Sequence, residues 1–474
     1  MEPARNAPEP SRTQLGLWDA VSIIIGIVVG VGIYETPPLV FKNVTGPWIA
    51  LGAWALAGLL CLIGAFCYAE LASTYPHSGG DYVYLSRAFH PWVGFLFGWA
   101  QLVIIGTGNI GMMGYVFGDY AVKLWNLDKE YSVHFALAAV SALTLVNLLG
   151  LFVGKGTQNL LTACKVLGLA GVVLAGILAP PVESPSVAKT LQYPPSFGLA
   201  MVFILYTYGG WNDAALVAAE QSNGKRNIPR ALILGTLAIT IIYVLINAAY
   251  LLGLGFEGAR WSDAVAADVV KGSFGDVGGK AISILVLISA LGAINGMIIT
   301  RSRVYSSMGE EYRILGWLGR WHGRLRVPVY SLLFQWLVTL CLIAAVGTET
   351  GEAIISQIIE GVGLGKVDWS GHGGFNTLFK WTNPAFWAFF LLSGLSLFIL
   401  RWRDRDLPRV FSVPFYPVFP IIFCATCGYM LYSATDYAGK TALIPVVLVL
   451  SGLLLCGFST RRPTRAGEIR KIPS

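Results

Sequence analysis

Gly26-Ile-Val-Val-Gly30-Val-Gly32-Ile-Tyr34-Glu-Thr-Pro37-Pro38 and Tyr206-Thr-Tyr208-Gly209-Gly210-Trp211-Asn212-Asp213 are the two stretches whose reading decides the fold. Each lies inside a long apolar run, and each carries residues that resist a regular helix. Glycine in a helix interior is costly in backbone entropy, and proline cannot donate the backbone hydrogen bond that a helix needs. Lipid offers irregular backbone no hydrogen-bond partners, so a helix broken at membrane depth persists only where protein or a watery cavity satisfies it. The competing reading is ordinary tight packing by small residues, which membrane helices use freely.

The rest of the chain sets these breaks in a membrane. Its 474 residues are 55% hydrophobic and 12% charged, with 55 glycines, and the mean hydropathy is +0.64. A typical soluble domain has roughly 25% charged residues, so the composition argues against a soluble enzyme. Apolar runs of the roughly 20 residues that cross a bilayer fall near 15–42, 47–70, 92–122, 133–153, 158–179, 197–222, 229–255, 277–308, 328–346, 384–400, 414–434 and 441–459. The expectation is an all-α polytopic membrane protein with twelve transmembrane helices in one domain over 15–460, and short polar tails at 1–14 and 461–474. An even count puts both termini on one side. Most of the 33 lysines and arginines, Arg301, Arg303 and Arg401 among them, then fall in loops on that side, which makes it cytoplasmic by the positive-inside rule. The net charge of +7 follows from topology, and no basic, aromatic-interleaved domain supports a nucleic-acid partner. The lipid bilayer of a cell membrane, inner or plasma, is the expected environment. The stretch 348–383 reads as an external insertion, an amphipathic helix around Ala353 to Glu360 followed by a loop.

If spans one to five (about 15–179) and six to ten (about 197–400) form two halves, with 414–459 supplying two more helices, the broken spans are the first of each half. That placement is the strongest sequence pointer to a transporter site. Broken helix ends expose N–H groups that suit a carboxylate and carbonyls that suit an ammonium, and a zwitterionic amino acid offers both. Lys165 lies about eight residues into its span, near mid-membrane at ~1.5 Å per residue, where a charge costs about 2.5–3.5 kcal/mol. It reads either as a proton-binding or cation-mimicking element or as a cap on carbonyls of a broken helix. Asp213, beside the second break, would neutralise a cationic substrate, pair with a side chain or face a watery vestibule. Glu35, just past the aromatic of the first break, reads as an outer-gate residue or a solvated one.

Other patterns carry no chemistry. Gly106-Thr-Gly108-Asn-Ile-Gly111 spells a dinucleotide fingerprint, but it sits inside an apolar span with no preceding strand. Cys424 and Cys427 form a Cys-x-x-Cys in an apolar run without polar partners. The five histidines show no ligand spacing, and no nucleophile-base-acid set appears. No cofactor, metal or catalytic residue is expected. Asn43-Val-Thr45 is a glycosylation sequon on the outer side.

Several motifs together resemble a known family. They are Leu15-Gly-Leu-Trp-Asp19 leading into Gly30 to Tyr34, Cys67-Tyr-Ala-Glu70 with Ser78-Gly-Gly-Asp-Tyr82, Tyr208-Gly-Gly-Trp-Asn212 with Arg226-Asn-Ile-Pro-Arg230, and Asn295-Gly296 through Arg303 to Gly309-Glu310. Over nearly its whole length the chain resembles the amino acid-polyamine-organocation superfamily, nearest its L-type amino acid transporter branch. The resemblance implies two inverted five-helix repeats plus two peripheral helices, working by alternating access. It implies a substrate carboxylate on backbone around Gly30, Val31, Gly32 and Ile33, and an ammonium on carbonyls near Ile27 and from Tyr206 through Tyr208 to Gly209 and Gly210. Tyr206 matches the family's gating aromatic. Asn212 and Trp387 match positions near the side-chain pocket. Lys165 matches a lysine that fills the place where sodium-coupled relatives hold an ion, which implies sodium independence.

Four departures stand out. Val31 replaces a small hydroxyl residue, Asp213 has no counterpart in the branch, and the 348–383 insertion is foreign to it. Lys123 to Ser132 holds no cysteine, so no disulfide-linked heavy subunit is expected. The expected function is secondary active transport of amino acids, by exchange or proton coupling with Lys165 as the coupling residue, for neutral substrates. The alternatives are a cationic amino acid or polyamine transporter, favoured by Asp213, and an amino acid sensor that does not transport. A channel is disfavoured because the breaks suit occlusion and no filter ring is visible.

Overall fold

The structure, a computed structural model, describes residues 15–77, 79–179, 194–220, 223–262, 264–361 and 374–458. The expected tails and residues 362–373 of the expected external loop lie outside the described residues. What is described is almost wholly helical, the exceptions to helix and loop being a lone bridge between His322 and Val327.

The first span is α1 (Leu17–Val28) and α2 (Gly32–Lys42), bent by 52° at the glycine break. Then come α3 (Pro47–Thr74), α4 (Asp81–Ala88), and α5 (Pro91–Ala100), which runs through a π-turn at Gln101–Ile105 into α6 (Gly106–Trp125). Next are α7 (Tyr131–Leu148), α8 (Leu151–Leu178) and α9 (Phe197–Thr207). After α9 the backbone breaks and resumes as a 3-10 segment, Trp211–Glu220. The chain continues through α10 (Gly224–Trp261), α11 (Val265–Phe274), α12 (Asp276–Glu311), α13 (Val329–Gly347), α14 (Glu349–Gly361), α15 (Gly374–Arg403), α16 (Val418–Ala438) and α17 (Leu443–Phe458).

Among the described residues nine helices are long and apolar enough to cross a membrane, and the bent first pair makes ten spans. The sixth and twelfth expected spans are present but fall short of that measure, the sixth because it is broken and the twelfth because α17 has 16 residues.

Three differences from the sequence reading have physical reasons. The short helices α4 and α11 occupy stretches read as loops. Charges such as Asp268 and Lys271 mask the stripe of Val265, Ala266, Val269 and Val270 that α11 buries. Pro384, which bounds the expected tenth span at 384–400, lies inside α15, which begins at Gly374. The residues up to Asn383 therefore belong to the bundle, and the described part of the external segment is α14. Finally, inner-side arginines counted as loop charges are engaged. Arg401 grips Glu70 of α3 through Nε at 2.7 Å and through Nη2, Arg409 approaches the same carboxylate at 3.2 Å, and the Val413 N–H donates to it at 2.7 Å. Asp404 accepts from Tyr75 at 2.7 Å and from Arg87 at 2.9 Å. Burial alone would raise the Asp404 carboxyl, but those two partners hold it below its usual range.

The halves of the two broken spans pair crosswise, α1 with the 3-10 segment after the second break and α2 with α9. Around them α3, α8, α10 and α12 form the scaffold. A buried polar chain ties α7, α8 and α12: Asn147 donates to Asn295 at 2.7 Å, and Asn295 donates to Gln158 at 3.0 Å and to the Gly154 carbonyl at 3.1 Å.

Close packing gives the first prediction. A Cβ on Gly176 of α8 would lie 2.4 Å from the Ala249 carbonyl oxygen and 2.7 Å from its Cβ on α10, whereas one on Gly171 of the same helix meets nothing within 4 Å. Gly176→Ala is expected to cost about 1–3 kcal/mol through overpacking and to lower the thermal midpoint in detergent. Gly171→Ala should leave it unchanged, and equal midpoints for the two variants would refute the packing account.

Candidate functional site

A helix interior has no spare backbone groups; a broken helix does. At the first break the Gly30 N–H turns to the Val28 carbonyl at 2.7 Å, which deprives the Gly26 carbonyl of its regular partner four residues on. Lys165 fills that place, donating from Nζ to the Gly26 carbonyl at 2.8 Å. Tyr243 of α10 donates to the Val28 carbonyl at 2.7 Å and lies 3.1 Å from the Thr207 carbonyl, so one hydroxyl ties both breaks. Pro37 has no N–H to give the Ile33 carbonyl, and Tyr250 donates to it at 3.2 Å instead. Tyr243 and Tyr250 stand about two turns apart on one face of α10.

At the second break the Tyr208 N–H closes the last regular turn on Ile204, and the Gly209 N–H tightens onto the Tyr206 carbonyl at 2.9 Å. Gly210 adopts φ +106°, open to glycine at little cost, and a Cβ there would also lie 2.8 Å from Ile27. A Cβ on Gly32 would lie 2.8 Å from Thr207. Glycine at both points lets the breaks touch.

Between them lies a cavity of about 110 Å³. Its wall includes Ile27, Gly30, Val31, Gly32, Tyr206, Gly209, Gly210 and Trp387, all expected from the sequence. The start of α2, whose first N–H groups lack intrahelical acceptors, and the end of α9 both border this space. An apolar niche of about 20 Å³ adjoins it, sharing Gly209, Gly210, Phe386 and Trp387 and reaching Cys427. Tyr206 meets Phe379 of α15 edge to face, with ring centres 4.3 Å apart.

Other expected site residues are not part of the wall. Ile33 contributes backbone only, its side chain being fully buried. Tyr208 turns away and donates to the Trp54 carbonyl at 3.1 Å. Asn212 is buried behind the break, and its Oδ1 has no hydrogen-bond partner among the described residues. Lys165 is buried on the far side of α1 as a carbonyl cap. Glu35 accepts from the Tyr120 hydroxyl at 2.6 Å in an exposed position outside the cavity, so solvation describes it better than gating.

Asp213 was open to three readings, and pairing with a side chain is the one observed. It faces no vestibule: it is 0% exposed and paired with Arg301, whose Nη2 lies 2.9 Å from its Oδ1. Arg301, counted in the sequence as an inner-loop charge, lies within α12 and forms part of the cavity wall. Its depth within the run 277–308 was the available signal. Asn109, Met112, Met113, Met297, Thr382 and Asn383 also line the wall without having been singled out. Thr382 and Asn383 were assigned to the external insertion. Among the described residues no three ligating side chains gather for a metal.

The amino acid permease family profile matches residues 15–455. The chain is 28% identical over 445 residues to the serine/threonine exchanger SteT of Bacillus subtilis (strain 168), covering 93% of this chain and 95% of that protein. It is 27% identical over 476 residues to the human b(0,+)-type amino acid transporter 1, covering 96% and 90%. It is 28% identical over 454 residues to the mouse large neutral amino acids transporter small subunit 2, covering 93% and 80%.

The hydroxyl shared by the two breaks gives the second prediction. Tyr243→Phe leaves the buried Thr207 carbonyl without its partner, at an expected cost of about 1–3 kcal/mol, seen as a lower thermal midpoint. Tyr120→Phe, which removes only the exposed bond to Glu35, should stay within about 0.5 kcal/mol. Indistinguishable midpoints would show that the hydroxyl does not hold the breaks together.

Proposed function

The chain belongs to the amino acid permease family, and from that premise we propose that it carries neutral amino acids across a cell membrane by alternating access, without sodium. It is an integral membrane amino acid transporter, as its relatives are. The observation that carries the reading is the cavity between two helix breaks, with free N–H groups on one side and carbonyls on the other. A zwitterion fits that arrangement: its carboxylate on the N–H groups of Val31, Gly32 and Ile33, its ammonium on the carbonyls of Ile27 and of Tyr206 to Gly209. Tyr206, braced by Phe379, closes the outer side as a gate. The side chain lies in the part of the cavity bounded by Phe386, Trp387 and Arg301. The crosswise pairing of the broken spans supports two inverted five-helix repeats, which would rock about this site.

Neutral selectivity rests on the pairing of Asp213, which removes the main reason to expect a cationic or polyamine substrate. Lys165, held on the Gly26 carbonyl next to the first break, is positioned to report the state of that break. Its ammonium stands where a coupling cation would otherwise bridge α1 and α8, so exchange or proton coupling is the proposed mode. Both termini are assigned to the cytoplasm from the distribution of basic residues, and no disulfide-linked subunit is required. The relatives are named as transporters and exchangers, which fits a chain that moves its substrate unchanged.

Counterflow into proteoliposomes tests the reading. Vesicles loaded with unlabelled serine should accumulate labelled neutral amino acids without sodium, and Lys165→Ala should lose at least tenfold in rate or lose its response to pH. Ligand-induced thermal stabilisation with no uptake under any ion gradient would replace the transporter by a sensor.

A further inference from the structure

The cavity contains an ion pair that the zwitterion site does not use. Arg301 and Asp213 are 2% and 0% exposed, and a charge so far from water persists only when paired or hydrogen-bonded. The two partners are placed unequally. Arg301 forms part of the cavity wall, whereas Asp213 does not. The contact brings one guanidinium nitrogen, Nη2, within 2.9 Å of Asp213 Oδ1, and neither Arg301 Nε nor either Asp213 oxygen has an aligned hydrogen-bond partner among the described residues. The remaining nearby acid, Asp81, is held by other groups: the Tyr68 hydroxyl donates to it, and the Ser393 hydroxyl lies 2.5 Å from the same oxygen. A buried donor without a partner costs free energy until an acceptor arrives. A small turn of Asp213 would serve one of the Arg301 donors, and an acceptor for the others can come from the cavity, whose wall Arg301 helps to form.

Resting on the transport reading above, we propose that the Arg301–Asp213 pair is the side-chain filter of the cavity and selects neutral side chains that accept a hydrogen bond, namely hydroxyl and carboxamide side chains. Three physical steps lead there. A cationic side chain would meet the guanidinium before the carboxylate behind it, so repulsion and desolvation reject it. An anionic side chain would meet a guanidinium whose charge Asp213 already balances, so it gains too little attraction to offset its own desolvation. A neutral acceptor satisfies the free donor capacity of Arg301 and leaves the pair intact. A purely apolar side chain of the same size enters but leaves the donor unsatisfied, and sites built this way discriminate against analogues that lack the polar group. The filter is therefore balanced by two opposite charges, and removing either one should tilt it in a defined direction.

The test is a competition panel against labelled substrate in proteoliposomes, with ligand-induced thermal shifts in detergent as a second readout. The parent should be inhibited by serine, threonine, asparagine and glutamine at least tenfold better than by apolar residues of similar size, and not by lysine, arginine, aspartate or glutamate. Asp213→Asn should gain at least tenfold in inhibition by aspartate and glutamate. Arg301→Met should gain similarly for lysine and arginine. The double variant holds no unpaired charge, so it keeps the filter testable if a single variant fails to fold. It should invert the order, binding leucine and methionine better than serine or glutamine. An unchanged order in the double variant, or singles that still carry substrate with unchanged rejection of charge, overturns the filter. A parent that neither binds nor carries any amino acid instead overturns the transport reading on which the filter rests.

Discussion

Backbone carbonyls that have lost their helical partners inside a membrane must find others, and much of this molecule is arranged around that requirement. Lipid cannot supply a donor, so each break in the first and sixth spans needs protein groups to receive it. Lys165 takes the Gly26 carbonyl, Tyr243 takes those of Val28 and Thr207, and Tyr250 takes that of Ile33. These caps come from α8 and α10, helices that pack on α1. The broken segments are thereby fixed from the scaffold side and left open on the cavity side. That open side is where the proposed zwitterionic substrate would bind.

The same constraint governs charge. Ionised side chains within the bundle survive only with partners, and the partners define their work. Glu70 is enclosed by Arg401, Arg409 and the Val413 N–H, where it fastens α3 to α15 and the loop beyond it. Lys165 is a cap. The Arg301–Asp213 pair differs because one member reaches the cavity wall while the other balances it from behind. A cavity lined by methionines, Trp387 and Phe386 would otherwise discriminate chiefly by size, since apolar pockets separate related substrates by only about 1–3 kcal/mol per methylene.

Much of this was legible in the sequence, and the limits have physical causes. Apolar runs located the spans, and the glycines at 30, 32, 209 and 210 located the breaks because they cluster in mid-span beside a double proline in one case and a polar pair in the other. The individual wall residues on the breaks came from the family resemblance. What the sequence concealed was rotation and partnership. Whether Asp213 faces water or an arginine depends on how α12 turns toward the second break, and a run of apolar residues containing Arg301 reads equally as a helix end or as a buried wall. Pro384 misplaced the start of α15 because proline is permitted at a helix start and tolerated inside a well-packed one, and Thr382 and Asn383 were lost with it. Tyr243 and Tyr250 carry no motif at all. Their role exists only once the carbonyls they cap are placed opposite them.

The central claim is that the two breaks form one substrate site. The most direct measurement is a cryo-electron microscopy map of the protein in nanodiscs with its best-carried amino acid bound. The account predicts ligand density between the breaks, the carboxylate within hydrogen-bond distance of the Gly32 and Ile33 N–H groups and the ammonium facing the carbonyls of Ile27 and Tyr206. Density for the ligand elsewhere in the bundle, with this cavity filled by side chains, would contradict it.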